Sequence, residues 1–351
     1  MQHPPPVTLD ELQVLAAGDG PFVSIYIDMA PTRRDTLVAR IAAIADGLRE
    51  LGAPPALVER TTTPFLAPPP NRSAMGIVAS NDGRYVVSTS PEPLRRDVGT
   101  YEPVPRLGPI IEWSQQMITH AIVREGVSGR VDVVIFGADG STSARAGMSG
   151  GDNSSDVEEL LVRHQPHAVF VAGAELDGIH ARLLDLILAQ RLPSSCHVER
   201  VADDGDDALA DAVVRHTASV VAERKVRLLT EFRFEKSHGR AVDGVDDVVD
   251  AANRGAIATL LANADPDDHR RAELRDNTTI VPVDTAEEGD EIAEGGVRVV
   301  DALIHATLAK GGAPVILPKT GERGPTDDVG AMLRPRDAQG LINGDVGRTG
   351  S

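Results

Sequence analysis

Apolar residues follow two different spacings along this chain. Residues 22–28, Phe-Val-Ser-Ile-Tyr-Ile-Asp, alternate with a period of two, which predicts a β-strand. Residues 36–51 carry apolar side chains every three or four positions, as an amphipathic helix does. Segments of the two kinds continue to follow one another along the chain. Because strands that alternate with helices are typical of mixed or parallel sheets, we predict an α/β fold.

The same patterns place the remaining elements. We predict strands at residues 22–28, 74–80, 84–90, 118–124, 131–137, 168–172, 197–201, 256–262, 278–283 and 314–318. We predict helices at residues 9–16, 36–51, 58–66, 157–164, 179–190, 208–227 and 297–309, and one more between Asp243 and Gly255. The turn Asn81-Asp82-Gly83 indicates a β-hairpin, and Thr8 is the expected N-cap of the first helix.

A chain of 351 residues is too long for one ordinary hydrophobic core. We therefore predict three α/β domains, at residues 1–112, 113–204 and 205–335. Residues 336–351 are rich in Gly, Asp and Arg without apolar periodicity, so we expect a flexible tail.

Residues 241–262 form the most regular unit of the predicted third domain. Asp243 is the expected N-cap of an amphipathic helix with an acidic outer face, and Gly255 is the expected left-handed residue that ends it. Residues 256–262, Ala-Ile-Ala-Thr-Leu-Leu-Ala, then have the length of a buried strand.

The sequence of this unit resembles that of the C-terminal domain of the archaeal and eukaryotic release factor and Pelota superfamily. Residues 244–248, Gly-Val-Asp-Asp-Val, are similar to the family's Gly-Val-Glu-Glu-Val, and residues 255–261 are similar to its Gly-Ala-Val-Glu-Thr-Leu-Leu. Further on, residues 328–334, Asp-Val-Gly-Ala-Met-Leu-Arg, resemble its closing Gly-Ile-Gly-Ala-Ile-Leu-Arg. The resemblance covers roughly the last third of the chain. It is greatest to the bacterial branch, which includes the Balon-like ribosome hibernation factors of actinobacteria.

This resemblance implies a non-enzymatic stress-response protein that occupies the ribosomal A site and contacts the rRNA of both subunits. The first domain would face the decoding centre and the middle domain the peptidyl-transferase centre. The third domain would face elongation factor Tu.

Residues 147–155, Gly-Met-Ser-Gly-Gly-Asp-Asn-Ser-Ser, stand where true release factors carry the Gly-Gly-Gln loop that promotes peptidyl-tRNA hydrolysis. From the residues alone, a flexible hairpin loop is the favoured interpretation. The resemblance implies that the loop enters the peptidyl-transferase centre, and the residues it would place against rRNA are Met148, Ser149, Gly150, Gly151, Asp152 and Asn153. Asp152 replaces the catalytic Gln, and an ionised carboxylate accepts hydrogen bonds without donating any. We therefore expect no hydrolysis.

The net charge of −18 argues against nonspecific RNA binding, and an aromatic content of 3% leaves little for base stacking. A ribosome-binding protein of this composition needs its basic residues concentrated on particular surfaces. The candidate phosphate contacts are Arg33, Arg34, Arg60, Arg72, Arg224, Lys225, Arg227, Arg233 and Lys236.

Two other functions remain open. One is a peptidyl-tRNA or RNA hydrolase, or a ribosome rescue factor, with Asp152 and Asn153 as working groups. The other is a stress-response adaptor that binds protein partners, which the acidic composition would suit.

No cofactor or metal is expected, because the chain has no phosphate loop, no cysteine pair and no Gly-x-Ser-x-Gly elbow. Ser195, Cys196 and His197 are adjacent, but adjacency does not provide the geometry of a nucleophile and its base. His164 and His167 lack further ligands at suitable spacing. The chain has no apolar run of about 18 residues and no secretory signal, so we expect a cytoplasmic protein with no membrane contact.

Overall fold

A computed structural model describes residues 7–29, 34–67, 73–90, 92–125, 131–137, 142–148, 154–173, 177–201, 206–263, 265, 268–275, 278–283, 296–318 and 324–335. Its contacts divide these residues into two compact units. Unit 1 is built from residues 116–224, and unit 2 from residues 7–115 together with those after 224. Both units contain helices and sheets, which confirms the predicted α/β class.

The first part of unit 2 is a four-stranded antiparallel sheet with helices. Its elements are α1 (Leu9–Ala16), β1 (Phe22–Asp28), α2 (Arg34–Glu50), α3 (Pro55–Thr62), β2 (Ala74–Ser80), β3 (Tyr85–Ser90), β4 (Val98–Glu102) and α4 (Gly108–Gln116). The strand order is β3-β2-β1-β4. Thr8 caps α1 in a capping box with Glu11, as predicted. Strand β4 was not predicted. Its five residues are all half-buried, so apolar and polar positions do not alternate along it.

Unit 1 is a mixed sheet covered on both faces. Its elements are β5 (His120–Glu125), β6 (Val131–Phe136), β7 (Thr142–Met148), α5 (Ser154–His164), β8 (Ala168–Ala172), α6 (Asp177–Leu188), β9 (His197–Val201) and the first half of α7 (Asp206–Ser237). The order is β7-β6-β5-β8-β9, and β8 runs parallel to both of its neighbours. One face packs on α5 and α6 through Leu161 and Leu183, and the other packs on α7 through Leu209 and Ala212.

Helix α7 extends ten residues beyond its predicted end at Arg227. Charged residues are frequent in this extension and hide its apolar spacing. Leu228, Leu229 and Phe232 nevertheless pack in one cluster with Leu261. Burial of these side chains stabilises the additional turns.

The last part of unit 2 contains two sheets. Its elements are β10 (Ala241–Asp243), α8 (Val245–Asn253), β11 (Ile257–Ala262), β12 (Arg271–Arg275), β13 (Thr279–Val283), β14 (Val297–Arg298), α9 (Val299–Ala309), β15 (Ala313–Ile316) and β16 (Val329–Leu333). The strand orders are β10-β16-β11-β15 and β13-β12-β14. As predicted, β11 is a buried strand, and Leu260 on it is 0% exposed.

The predicted cap of α8 was wrong. Gly244, at φ +84°, is the N-cap, and Asp243 lies in β10. The Asp243 carboxylate instead accepts hydrogen bonds from the Lys236 ammonium at 2.7 Å and from the Thr326 hydroxyl at 2.9 Å. Thr326 lies 83 residues from Asp243 in sequence, so the local pattern did not reveal this bond. Gly255, at φ +71°, follows the end of α8 as predicted.

Helix α9 occupies the centre of unit 2, and its residues from Val299 to Leu308 are all buried. It contacts β11 and β15 of the last part and α1 of the first part. One continuous hydrophobic cluster therefore contains residues from both parts of unit 2. The predicted division into three domains stays a prediction.

A buried ion pair begins α9. The Arg298 guanidinium donates to both Asp301 carboxylate oxygens, at 2.7 and 3.0 Å, and the side chains are 6% and 0% exposed. Burial raises the pKa of Asp301, and the Arg298 charge opposes that rise. Arg106, from the first part of the chain, lies 4.0 Å from Asp301.

In the described part of the chain, no helix combines the length and the apolar character needed to cross a membrane.

Replacing Arg298 by Met should destabilise the protein by about 3–5 kcal/mol, because Asp301 would keep a buried charge without its bidentate partner. Chemical denaturation measures this free energy of unfolding. The double variant R298M/D301L should recover much of the loss, since it removes both charges. The exposed Arg49→Met is the control, with an expected change within about 0.5 kcal/mol. A loss below about 1 kcal/mol for Arg298→Met would contradict this role of the pair.

Candidate nucleic-acid interface

The predicted loop of residues 147–155 is shorter than expected. Gly147 and Met148 lie in β7, where Met148 pairs with Val131 of β6, and α5 begins at Ser154. Ser149, Gly150, Gly151, Asp152 and Asn153 lie outside the described residues. The connection therefore leaves the sheet of unit 1 from its edge strand β7.

Strand β7 was not predicted, because its residues, Thr-Ser-Ala-Arg-Ala-Gly-Met, include few of the β-branched and aromatic types typical of strands. Its register with β6 from Thr142 to Met148 supplies the missing stabilisation through backbone pairing. Pairing with the neighbouring strand β6 therefore outweighs the low strand propensity of these residues.

The structure describes two of the four candidate arginines in the first part of the chain. Arg33 and Arg72 lie outside the described residues, and Arg34 is the first residue of α2. Arg60 is on α3, and its guanidinium lies 6.0 Å from the centroid of the Tyr85 ring. At an exposed site such a cation–π contact contributes about 0.5–1 kcal/mol.

Arg60 and Tyr85 border a surface cavity of about 520 Å³, with Pro64, Ile77 and Val87 among its apolar lining residues. Tyr85 is 60% exposed, which makes it a candidate stacking surface beside a cation. Tyr85 was not predicted as a candidate site residue, because its place at the start of a predicted strand indicated only a structural role. The predicted hairpin, which pairs β3 with β2, was the only sequence feature that located it.

The basic candidates of the predicted third domain all lie on α7, but not on one face. At about 100° per residue, Lys225 and Lys236 lie on the side of the buried Phe232. Arg224 and Arg227 lie one turn apart on another side, and Arg233 is exposed elsewhere. The cluster seen in the sequence is therefore distributed around the helix.

Ion pairs separate these cations into two groups. Lys236 pairs with Asp243 at 2.7 Å, and the neighbouring Arg240 pairs with Glu235. Within the described ranges, no carboxylate forms an ion pair with Arg224, Lys225 or Arg227. Arg227 is exposed, and the other two are half-buried. We call these three residues the α7 cations.

The α7 cations influence neighbouring titratable groups. Burial raises the pKa of Glu112, and the Lys225 ammonium opposes that rise. Burial lowers the pKa of His167, and the Arg224 guanidinium lowers it further. Because no carboxylate of the described residues forms an ion pair with the α7 cations, they are the group of this stretch best suited to contact phosphates.

Among the described residues, no hydrogen bond joins the Cys196 thiol to the His197 ring; the thiol lies 3.9 Å from the His197 backbone oxygen. Cys196 is buried, and this burial raises its pKa to about 11. The His197 ring stacks on His216, with ring centroids 4.4 Å apart. Among the described residues, no three His, Cys, Asp or Glu side chains come together to hold a metal ion.

No protein family model and no curated protein matches the chain. Among solved structures, it is similar to Pelota of Archaeoglobus fulgidus, with 14% identity, a TM-score of 0.40, and 95% of this chain and 93% of that chain covered. It is similar to S. cerevisiae Dom34, a translation termination-like factor of RNA quality control, with 13% identity, a TM-score of 0.37, and coverages of 74% and 78%. A model of ribosome-bound archaeal Pelota shows 14% identity, a TM-score of 0.39, and coverages of 95% and 95%. The likeness is loose, and the fold described above rests on this chain's own strand order and register.

Cys196 should react very slowly with iodoacetamide in the folded protein. With its pKa raised to about 11, only roughly one thiol in a thousand is ionised at pH 8, and the thiolate is the nucleophile. Mass spectrometry of timed samples measures the rate, and the same protein in urea is the control. Alkylation as fast in the folded as in the unfolded protein would contradict the buried, protonated thiol.

Proposed function

We propose that this protein is a ribosome-binding, release-factor-like hibernation factor that occupies the A site without hydrolysing peptidyl-tRNA. The observation that carries ribosome binding is the group of α7 cations, which lack carboxylate partners in the described part of a chain with a net charge of −18. In so acidic a protein, cations without partners are the expected phosphate contacts.

The absence of hydrolysis rests on the chemistry of the loop. Gly150 and Gly151 permit close approach of the backbone to rRNA, which either a plug or a catalyst would need. Only catalysis needs an amide side chain that both donates and accepts hydrogen bonds, and Asp152 is not one. We therefore assign the loop a role in filling the peptidyl-transferase cavity.

The location and partners in this proposal follow from the resemblance of residues 244–261 and 328–334 to the release factor superfamily. They are a cytoplasmic location, contact with the rRNA of both subunits, and elongation factor Tu as a possible neighbour of the last part of the chain. A hydrolase would need working groups at Asp152 and Asn153, and no described residue favours it over a plug.

Replacing the α7 cations together, in R224A/K225A/R227A, should weaken co-sedimentation with ribosomes about tenfold or more at about 0.1 M salt. It should also reduce the slope of log affinity against log salt by up to about 3, because each lost phosphate contact removes nearly one unit. Sedimentation over a salt series measures both quantities.

The matched control removes the same charge from cations that already pair with carboxylates. These cations are Arg49 with Asp46, Arg163 with Glu159, and Arg240 with Glu235. The triple variant R49A/R163A/R240A should keep most of the affinity and slope. Equal losses in the two triple variants would show that only total charge matters and would remove the α7 cations from the proposal.

The unaltered protein should release no peptide from ribosomes that carry peptidyl-tRNA, and it should slow release by a genuine factor that competes for the A site. Asp152→Gln should restore little activity, because the supporting basic helix is replaced by the acidic residues 156–159 and catalysis is sensitive to misplacement of about 1 Å. Quantification of released labelled peptide measures both effects. Release by the unaltered protein that is lost in Asp152→Ala would establish the hydrolase instead.

A further inference from the structure

A continuous series of aromatic rings crosses the α7 face of the unit 1 sheet. Phe136 on β6 stacks on His120 on β5, with centroids 4.9 Å apart, and His120 meets the edge of Phe170 on β8 at 6.2 Å. Phe170 meets His216 on α7 at 5.9 Å, and His216 stacks on His197 of β9 at 4.4 Å and 12°. We call these five residues the ring series. It connects four strands to the first half of α7.

His216 is the ring that joins the helix to the sheet. Its Nε2 atom is buried, and no group in the described part of the chain forms a hydrogen bond with it. A neutral imidazole leaves one nitrogen as an acceptor, so an unpartnered Nε2 costs only its own desolvation. An imidazolium would instead place an N–H donor and a positive charge there, which is much more costly.

The groups around His216 act in opposite directions. Burial lowers the pKa of His216 most, and the nearby His197 and His167 lower it further, whereas Glu199 and Glu223 oppose the change. Glu199 is already occupied, since it accepts from Arg215 and from His197, both at 3.3 Å. Glu223 is exposed, so solvent screens its charge, and little acidic capacity is left to stabilise an imidazolium at His216.

The pKa values of two other histidines, His120 and His167, change in the same direction. Burial lowers the pKa of His120, and His216 lowers it further, against the Ile118 carbonyl that accepts from its ring. Burial and Arg224 lower the pKa of His167. Several imidazoles on the α7 side therefore stay neutral in the folded protein at a pH where they would be charged in an unfolded chain.

We propose that the ring series is an acid-sensitive latch that holds the first half of α7 on the sheet of unit 1 and releases it as His216 becomes charged. At neutral pH the stacked rings attract, and the helix buries Leu209 and Ala212 against the sheet. When His216 carries a charge, its buried Nε2–H has no acceptor in the described part of the chain.

The pH window follows from the direction of the pKa changes. For a histidine with a lowered folded pKa, the stabilisation is complete above the unfolded value of about 6.5, and it is lost as the pH falls through the folded pKa. The latch is therefore closed at pH 7.5 and weakens below about pH 6.5. This inference is independent of ribosome binding, and its test uses the protein alone.

Hydrogen–deuterium exchange of the full chain at pH 7.5 and pH 5.5 tests the latch, with rates corrected for the intrinsic effect of pH. The opening constant of peptides covering residues 206–222 should rise by up to about tenfold at the lower pH, since one histidine whose pKa is lowered on folding contributes up to about tenfold per pH unit below its unfolded pKa. His216→Phe keeps an aromatic ring but cannot take up a proton, so it should lose most of this rise. His180→Gln, on α6, is the matched control and should behave as the unaltered protein does.

His197→Gln is the second variant, because His197 is exposed and its replacement should not prevent folding. It removes the ring that stacks on His216 and lowers the pKa of His216, so it should reduce the rise in opening, and it decides the test if His216→Phe does not fold. A rise of equal size in the unaltered protein and in the His216 and His197 variants would overturn the latch. An equal loss of protection in α6 and α7 would also overturn it, because unit 1 would then open as a whole.

Discussion

The burial of α9 is the constraint on which unit 2 depends. The helix lies between elements from both parts of the unit, so neither part alone would cover it. A fully buried helix that carries Asp301 also needs a compensating charge, because an unpaired buried carboxylate would cost several kcal/mol. Arg298 supplies that charge, and Arg106 lies 4.0 Å away from the first part of the chain. Hydrophobic burial holds the two parts of unit 2 together, and the Arg298–Asp301 ion pair restricts the position of α9.

Helix α7 carries both buried apolar residues and the cations of the proposed function. Its first half packs on the unit 1 sheet through Leu209 and His216, and its second half packs in unit 2 through Phe232. Arg224, Lys225 and Arg227 of the same helix have no carboxylate partners in the described structure. Near the end of the helix, Lys236 pairs with Asp243 and Glu235 pairs with Arg240. The three α7 cations therefore differ from Lys236, whose charge is already neutralised by a carboxylate.

Sequence patterns predicted elements that have a run of apolar residues or a clear cap residue. The strand at residues 22–28, the helix that Thr8 caps and the buried strand at Leu260 were all predicted from spacing and cap residues. The predictions that failed depend on contacts outside the segment itself. β7 is held by its register with β6, and Asp243 is bound by Lys236 and Thr326 instead of capping α8.

The candidate site was predicted only in part, for the same reason. The basic character of residues 224–236 was visible in the sequence, whereas the ion pairs that neutralise Lys236 and Arg240 are tertiary or geometric facts. Tyr85 beside Arg60 was not predicted, because cation–π contacts between a helix and a strand leave no local signature. The charge pattern reveals which cations exist, and the fold determines which of them remain available.

The central claim, occupation of the ribosomal A site, is tested most directly by binding to ribosomes whose A site is either empty or filled with tRNA. Equilibrium sedimentation of the unaltered protein with both preparations, at one salt concentration, gives the two affinities. The account predicts binding to the empty site and a large loss of affinity when tRNA fills it. Equal affinity for both preparations would contradict A-site occupation and would place the protein elsewhere on the ribosome.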